Sequence, residues 1–381
     1  MALLPSLFDF CYTSIVLAFA LVVAWRYFCD KSIELSWHMA AVVTSLPVCY
    51  LFTDSIGILA FALICVIVYE CLPVPHLDIE DKAVLITGCD SGFGHAAAKH
   101  LDSLGFQVFA GCLVKGGKGE QQLINNCSGQ LTTLQLDVTK QEQIDEAFNV
   151  INKKLDGKGL WGLVNNAGII SMCNVELLPI HVFQKVWDIN CLGGIRMIKK
   201  FLPLIRKSKG RIVNLSSVAG RLPFAGASAY CVSKAGLEIL SDVLRQELVD
   251  WGVTVSIIEP SGFQTDIAEK DKLEVIYRNV MDGVNEEIRT SYNIEDYSAK
   301  VEDKLNKNEM IDRSLYCPDL SLVVDVILDA LLSTYPKSRY PIGQGSKTIM
   351  WSANHLPSVI LDLVYLVIST DLLYVQPKRV R

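Results

Sequence analysis

The 381-residue sequence has no excess of positive charge: 35 Lys and Arg stand against 41 Asp and Glu, a formal net charge of −6. Without a basic field there is nothing to attract a phosphodiester backbone, so nucleic acid is excluded as a partner. Histidine is scarce, at 6 residues. No Cys/His cluster has metal-ligand spacing, so no metal site is expected. The 12 cysteines include no C-x-x-C pair, and several lie inside apolar runs. They read as reduced, buried thiols of a cytosol-facing enzyme rather than a disulfide framework. Long charge runs, internal repeats and low-complexity segments are absent as well.

What is plentiful is apolar sequence. Hydrophobic residues make up 51% of the chain, and the excess sits in the first seventy-odd residues and again near the C-terminus. Residues 10–25 carry no charge, and the run continues to Cys29 past the single Arg26. Further runs cover Met39 to Phe52 and Ile56 to Tyr69. A membrane span takes about 20 apolar residues, so the first run is the best candidate and the others reach that length only with their flanks. No basic stretch precedes the first run and no small-residue cleavage site follows it, which argues against a signal peptide. Arg26 and Lys31 separate runs one and two, whereas only Asp54 separates runs two and three. The positive-inside rule then predicts that the first loop, and the chain beyond the third run, face the cytosol.

From Lys82 onward short apolar strands alternate with helical patterns. Candidate strands cover residues 82–87, 106–112, 131–138, 162–168, 211–217, 253–260 and 339–343. Between them lie helices such as the one carrying Leu237, Leu240, Leu244 and Leu248 at helical spacing. Near-continuous apolar strands alternating with helices predict an α/β fold, a doubly wound parallel sheet of Rossmann-like type, preceded by N-terminal transmembrane helices. The expected organisation is a membrane-anchoring segment over 1–75, a dinucleotide-binding domain over 80–345 and an apolar extension over 346–381.

The first strand ends in TGCDSGFG, with Thr87, Gly88, Ser91, Gly92, Phe93 and Gly94 ahead of an alanine-rich helix. A glycine turn between strand and helix lets the backbone approach a pyrophosphate and aims helix N–H groups at it. Further on, Tyr230 and Lys234 stand four residues apart in AYCVSK, which puts both on one helix face. With 13 tyrosines in the chain such a pair arises by chance, so its neighbours must decide.

They do. Over residues 80–345 the chain resembles the short-chain dehydrogenase/reductase family. TGCDSGFG matches its TGxxxGxG, Asp137-Val138 its adenine-contacting pair, and Asn165-Asn166-Ala167-Gly168 its NNAG motif. Asn190 matches the family's helix asparagine, Ser217 its catalytic serine, and Tyr230 with Lys234 its YxxxK pair. The resemblance implies that Tyr230 is the base in alcohol oxidation, that Lys234 lowers its pKa and holds the nicotinamide ribose, that Ser217 holds the reacting oxygen and that Asn190 orders a proton-relay water. An unperturbed tyrosine ionises near pH 10, so base chemistry at pH 7 requires about 3 units of lowering, for which the nearby ammonium and the positive nicotinamide of the oxidised cofactor together are the expected source. Pro260, Gly262 and Thr265 follow the nicotinamide-side pattern, with Ser261 where the family usually has glycine.

Within the family the motifs look like the branch that oxidises hydroxysteroids, at the 17β or 11β position, retinol and 3-hydroxybutyrate. The lead-in to the fifth strand leans toward the 17β-hydroxyl of steroids such as estradiol and testosterone. A membrane-bound enzyme of the endoplasmic reticulum, taking a lipophilic steroid or retinoid from the lipid, is the expectation. The apolar C-terminal stretch fits a membrane contact, a packed core helix or the interface of a homodimer. A catalytically idle scaffold is the opposing reading, and intact Ser217, Tyr230 and Lys234 argue against it. At the end of strand two, Cys112 and Leu113 provide neither the acid that grips a ribose nor the cation that meets a 2′-phosphate; Lys115 is the nearest cation. A phosphate loses more there than a neutral ribose does, so NAD is the expected cofactor and oxidation the expected direction.

Overall fold

The structure, a computed structural model, describes residues 10–20, 55–71, 76–171, 173–265, 285–294 and 316–368. The chain divides into two compact units, residues 1–77 with 333–335, and residues 78–332 with 336–381. In the first unit, residues 10–20 are helical and a second helix covers Ser55–Cys71. Tyr12, Phe61 and Cys65 bury one another, with the two rings 5.9 Å apart. Leu17, Leu59 and Leu63 are exposed. Among the described residues no helix is long and apolar enough to cross a membrane. The helix Ser55–Cys71 has 17 residues, about 26 Å at 1.5 Å per residue, just short of a hydrocarbon core of about 30 Å. The run Met39 to Phe52 lies outside the described residues.

The second unit is built on seven parallel strands: β1 (Ala83–Thr87), β2 (Gln107–Cys112), β3 (Leu131–Gln135), β4 (Gly162–Asn165), β5 (Arg211–Leu215), β6 (Thr254–Pro260) and β7 (Arg339–Ile342), in the order β3-β2-β1-β4-β5-β6-β7. The order reverses between β1 and β4, leaving a crevice beyond their carboxyl ends where ligands of such sheets bind. The helices that cover the sheet are α1 (Gly92–Ser103), α2 (Lys118–Asn126), α3 (Gln141–Leu155), α4 (Ile180–Trp187), α5 (Gly194–Ser208), α6 (Ser228–Glu247) and α7 (Ser321–Leu332). Helices α8 (Ser346–His355) and α9 (Ser358–Ile368) follow β7.

Strand residues alternate between two cores. Val84 and Ile86 face α1 and α7 through Ala97, Leu101, Val323 and Ile327. Ala83 and Leu85 face the opposite layer with Phe109, Ile151 of α3, Phe201 of α5 and Leu244 of α6. Strands buried on both faces account for the unbroken apolar runs in the sequence. Two strands stop earlier than those runs. β3 ends at Gln135 because the Asp137 carboxylate accepts hydrogen bonds from the amide (2.9 Å) and hydroxyl (2.7 Å) of Thr139, turning the chain. β4 ends at Asn165, where Asn166 bonds across to β1 instead.

Phe109 is fully buried at the centre of the second core. Truncating it should leave a cavity whose surroundings are two layers of regular structure with little freedom to collapse. Phe109→Ala is expected to cost about 3–5 kcal/mol of stability, read as a lower denaturant midpoint with an unchanged slope.

Candidate active site

The glycine turn is held by the neighbouring strand. Thr87 Oγ1 accepts from the amides of Asn166 and Ala167, both at 3.0 Å. Asn166 Nδ2 donates to the carbonyls of Thr87 (2.7 Å) and Gly88 (3.0 Å). This contact leaves no room for side chains. A Cβ on Gly94 would lie 2.4 Å from both the Gly88 carbonyl oxygen and Asn166 Nδ2. Gly88 and Gly92 have φ of +70° and +59°, the left-handed region that glycine adopts without strain. Ser91 sits at the N-cap of α1 in extended conformation, and its side chain makes no capping bond. A twelve-residue helix with a bare, glycine-lined N-terminus fits a pyrophosphate, which the helix-end N–H groups would hold.

The other cofactor-side residues frame the same crevice. Phe93 stacks edge-on with Phe263 at 5.3 Å, and Thr265 lies 3.5 Å from where a Cβ of Gly92 would be. Asp137 is committed to its turn with Thr139, and Val138 is buried against Gly193. Asn165 donates to Asn214, which in turn donates to Ser241 of α6, so it stitches β4, β5 and the helix together. Pro260 offers its carbonyl to Ser217, and Gly262 lies against the Tyr316 ring. Ser261, in place of the family glycine, has no positive φ and its amide bonds to Ile342, so the exchange needs no special backbone.

One residue overlooked in the sequence governs the end of β2. The Asp90 carboxylate accepts from the amides of Leu113 (2.8 Å) and Val114 (3.0 Å). Cys112 beside them is buried, and burial pushes its thiol up to about 12. The signal in sequence was an acid inside the glycine motif with no role of its own.

Tyr230, Lys234 and Ser217 come together as expected. Lys234 is 4% exposed; its Nζ donates to the Leu215 carbonyl at 2.8 Å and lies 5.7 Å from the Tyr230 ring centre. A Cβ on Gly168 would be 3.5 Å from that Nζ, which places the NNAG turn beside it. Ser217 caps the short helix Val218–Gly220, accepting from the Ala219 amide.

Two features bear on the roles expected of these residues. Burial pushes the Tyr230 phenol up to about 12, against a hydrogen bond from Ser217 that pulls it down. Burial likewise lowers Lys234 to about 8, partly opposed by Glu238 and Cys191. Desolvation is thus the largest influence on both groups, and it drives each toward its neutral form. The second concerns Asn190, in the π-helical turn Asp188–Gly193. Its Nδ2 donates to the Ile169 carbonyl (2.9 Å) and Ser233 Oγ (3.0 Å), and its Oδ1 accepts from the Ile169 amide. Both side-chain N–H donors clamp the NNAG strand end to α6.

Residues 82–275 match the family model described as short chain dehydrogenase. The chain belongs to the short-chain dehydrogenase family. It is 42% identical to Estradiol 17-beta-dehydrogenase 2 of Rattus norvegicus, over 76% of this chain and 75% of that protein. Retinol dehydrogenase 7 of Rattus norvegicus is 41% identical over 76% of this chain and 89% of its own length. Among solved structures, a short-chain dehydrogenase from Streptomyces avermitilis superposes with a TM-score of 0.56 at 25% identity, covering 74% of this chain and 95% of that one. As a short-chain dehydrogenase the protein is an oxidoreductase that works with a nicotinamide cofactor.

A Cβ at Gly94 would press on the Gly88 carbonyl and on Asn166 Nδ2, so Gly94→Ala can fold only by displacing the turn and should lose most of its dinucleotide binding. Equilibrium titration with NAD is expected to give a Kd raised by ten-fold or more, about 1.4 kcal/mol, together with a lower thermal midpoint of the protein alone.

Proposed function

We propose that the protein oxidises a hydroxysteroid, with the 17β-hydroxyl of estradiol or testosterone as the preferred position, to the ketosteroid with NAD. The observation that carries this reading is the Ser217–Tyr230–Lys234 cluster beyond the carboxyl end of β5, in a chain 42% identical to a protein named Estradiol 17-beta-dehydrogenase 2. Ser217 donates a hydrogen bond to the alcohol oxygen, and Tyr230 takes its proton. Lys234 stabilises the phenolate through the helix face they share. NAD, when bound, supplies the hydride acceptor and a positive ring beside the phenol.

The end of β2 supports NAD over NADP. Cys112 is neutral and buried, and the Asp90 carboxylate at the Leu113 and Val114 amides adds negative charge where a 2′-phosphate would come. A retinol dehydrogenase of the same mechanism is the second reading, favoured by the 41% identity to Retinol dehydrogenase 7.

The substrate's solubility argues for a lipid setting. We place the first 75 residues in the endoplasmic reticulum membrane with the oxidoreductase domain in the cytosol, on the strength of the apolar runs and of Arg26 and Lys31. The C-terminal extension, residues 346–381, is assigned to lipid contact because α8 and α9 present Trp351, Val359 and Leu363 to the outside. Exposed Val232, Ile239 and Val243 along α6 suit a second copy of the chain.

The test is kcat/KM on membranes carrying the full chain, with estradiol, an 11β-hydroxysteroid and retinol, each with NAD and NADP. Estradiol with NAD should lead, and Tyr230→Phe should lower turnover by about 10²–10⁴-fold. A ten-fold preference for NADP would overturn the cofactor assignment, and turnover of retinol alone would establish the second reading. For topology, protease added to sealed microsomes should digest the chain beyond about residue 80; protection of that domain, or a glycan on Asn126, which opens the sequon Asn126-Cys127-Ser128, would reverse the orientation.

A further inference from the structure

Behind the residues that meet the substrate lies a second set of charges that the proposed chemistry does not use. Glu238 stands one turn beyond Lys234 on the same face of α6 and is 1% exposed. Ser216 Oγ donates to its Oε1 at 2.9 Å. Arg221 Nε (2.8 Å) and Arg339 Nη1 (2.9 Å) donate to its Oε2. Arg339 also pairs with Glu259 of β6, equally buried, and with Asp242 of α6. A Cβ on Gly220 would lie 2.2 Å from Glu238 Oε1, so the loop after β5 closes directly over the carboxylate.

Two features set this carboxylate apart from an ordinary buried ion pair. Its contacts bracket the serine loop: Ser216 at one end and Arg221 at the other hold Ser217 between them, while Glu259 precedes Pro260, whose carbonyl accepts from Ser217. Its charge also acts on the Lys234 ammonium, one turn back on the same helix. Around Lys234 the other groups are Tyr230 on its own helix, Cys191 on the π turn, and the Leu215 carbonyl and Ser216 at the end of β5. Glu238 is the one carboxylate among them. Burying a carboxylate with two guanidiniums adds little to stability over an apolar replacement, so stability alone gives little reason for its presence.

We propose that Glu238 is a positioning residue for the oxidation, which holds Ser217's loop on the catalytic helix and keeps Lys234 in its ammonium form so that Tyr230 can ionise. This rests on the reading of Tyr230 as the base. In a desolvated site the effect of one charge on the next is large, and each step has a definite sign. Neutralising Glu238 weakens the ammonium and so raises the pH at which the tyrosine ionises. Removing Arg221, a cation that offsets Glu238, strengthens the ammonium and lowers it. Glu259 responds the other way. Burial and then Glu238 push it up to about 7, and Arg221 pulls it down, so Glu238→Gln lowers Glu259 and Arg221→Gln raises it.

The experiment is the pH profile of kcat/KM for alcohol oxidation by the full chain in membranes, for wild type, Glu238→Gln and Arg221→Gln. The acid limb should move up by about half a unit or more in Glu238→Gln and down in Arg221→Gln. Tyrosinate absorbance, taken as the difference from Tyr230→Phe with NAD present, should show the same order of midpoints and needs no turnover. Limbs that stay in place while the thermal midpoint falls would reduce Glu238 to a structural clamp. Limbs that move in the reverse directions would assign the titration to Glu259, and either result overturns the proposal. Should Glu238→Gln fail to fold, Arg221→Gln decides alone, its side chain being 32% exposed. A Tyr230→Phe variant that keeps its activity would instead refute the assignment of the base, a separate failure.

Discussion

The bond between the ends of β1 and β4 is the constraint on which the crevice depends. Thr87 takes two amides from Asn166 and Ala167, and Asn166 returns two hydrogen bonds to Thr87 and Gly88. These strands are neighbours only because the sheet reverses its order there. The stitch draws the glycine turn so close to the NNAG segment that Gly88 and Gly94 have no room for a Cβ. It also orients α1 so that its uncapped N-terminus opens into the gap. Gly168, at the end of the same segment, then lies beside Lys234 and Asn190. Cofactor cradle and proton-handling groups are thus two sides of one strand-end contact.

Inside the crevice, desolvation is the dominant electrostatic effect. It raises Tyr230 and lowers Lys234, so each is driven toward its neutral form, the opposite of what catalysis by a phenolate beside an ammonium requires. Charge must come from outside the pair. One source is the buried carboxylate one turn along the helix; the other is the positive ring of an oxidised nicotinamide.

Much of this could be read from sequence because it is local or periodic. The strands are continuous apolar runs, the glycine turn is contiguous, and Tyr230 and Lys234 announce their helix face by spacing alone. The seventh strand, at Arg339–Ile342, was visible for the same reason. What escaped depends on residues distant in the chain. Asp90 meets Leu113 across 23 positions and Arg339 meets Glu238 across 101, and no pattern in one sequence pairs them. Glu238 itself was in view, four residues after Lys234, but its burial was not. Spacing likewise shows the charge beside the tyrosine and conceals its loss of water.

The π turn at Asp188–Gly193 joins α4 and α5 into one continuous helical rod whose two halves are out of phase. Before the turn, Trp187 presses on Gly236 of α6, where a Cβ would come within 2.7 Å of its ring. After it, Met197, Phe201 and Leu204 enter the core beneath the sheet. A π turn holds about one residue more than an α turn, and that surplus residue lets both faces be satisfied while Asn190 points inward at Ile169 and Ser233. The rod is therefore intolerant of a change in length. Removing any single residue from Asp188 to Gly193 would restore regular α-helix and rotate one half by about 100° against the other, trading the asparagine clamp for a mismatched core. Here a point deletion is more damaging than a point substitution, and the count of residues carries information that their identities do not.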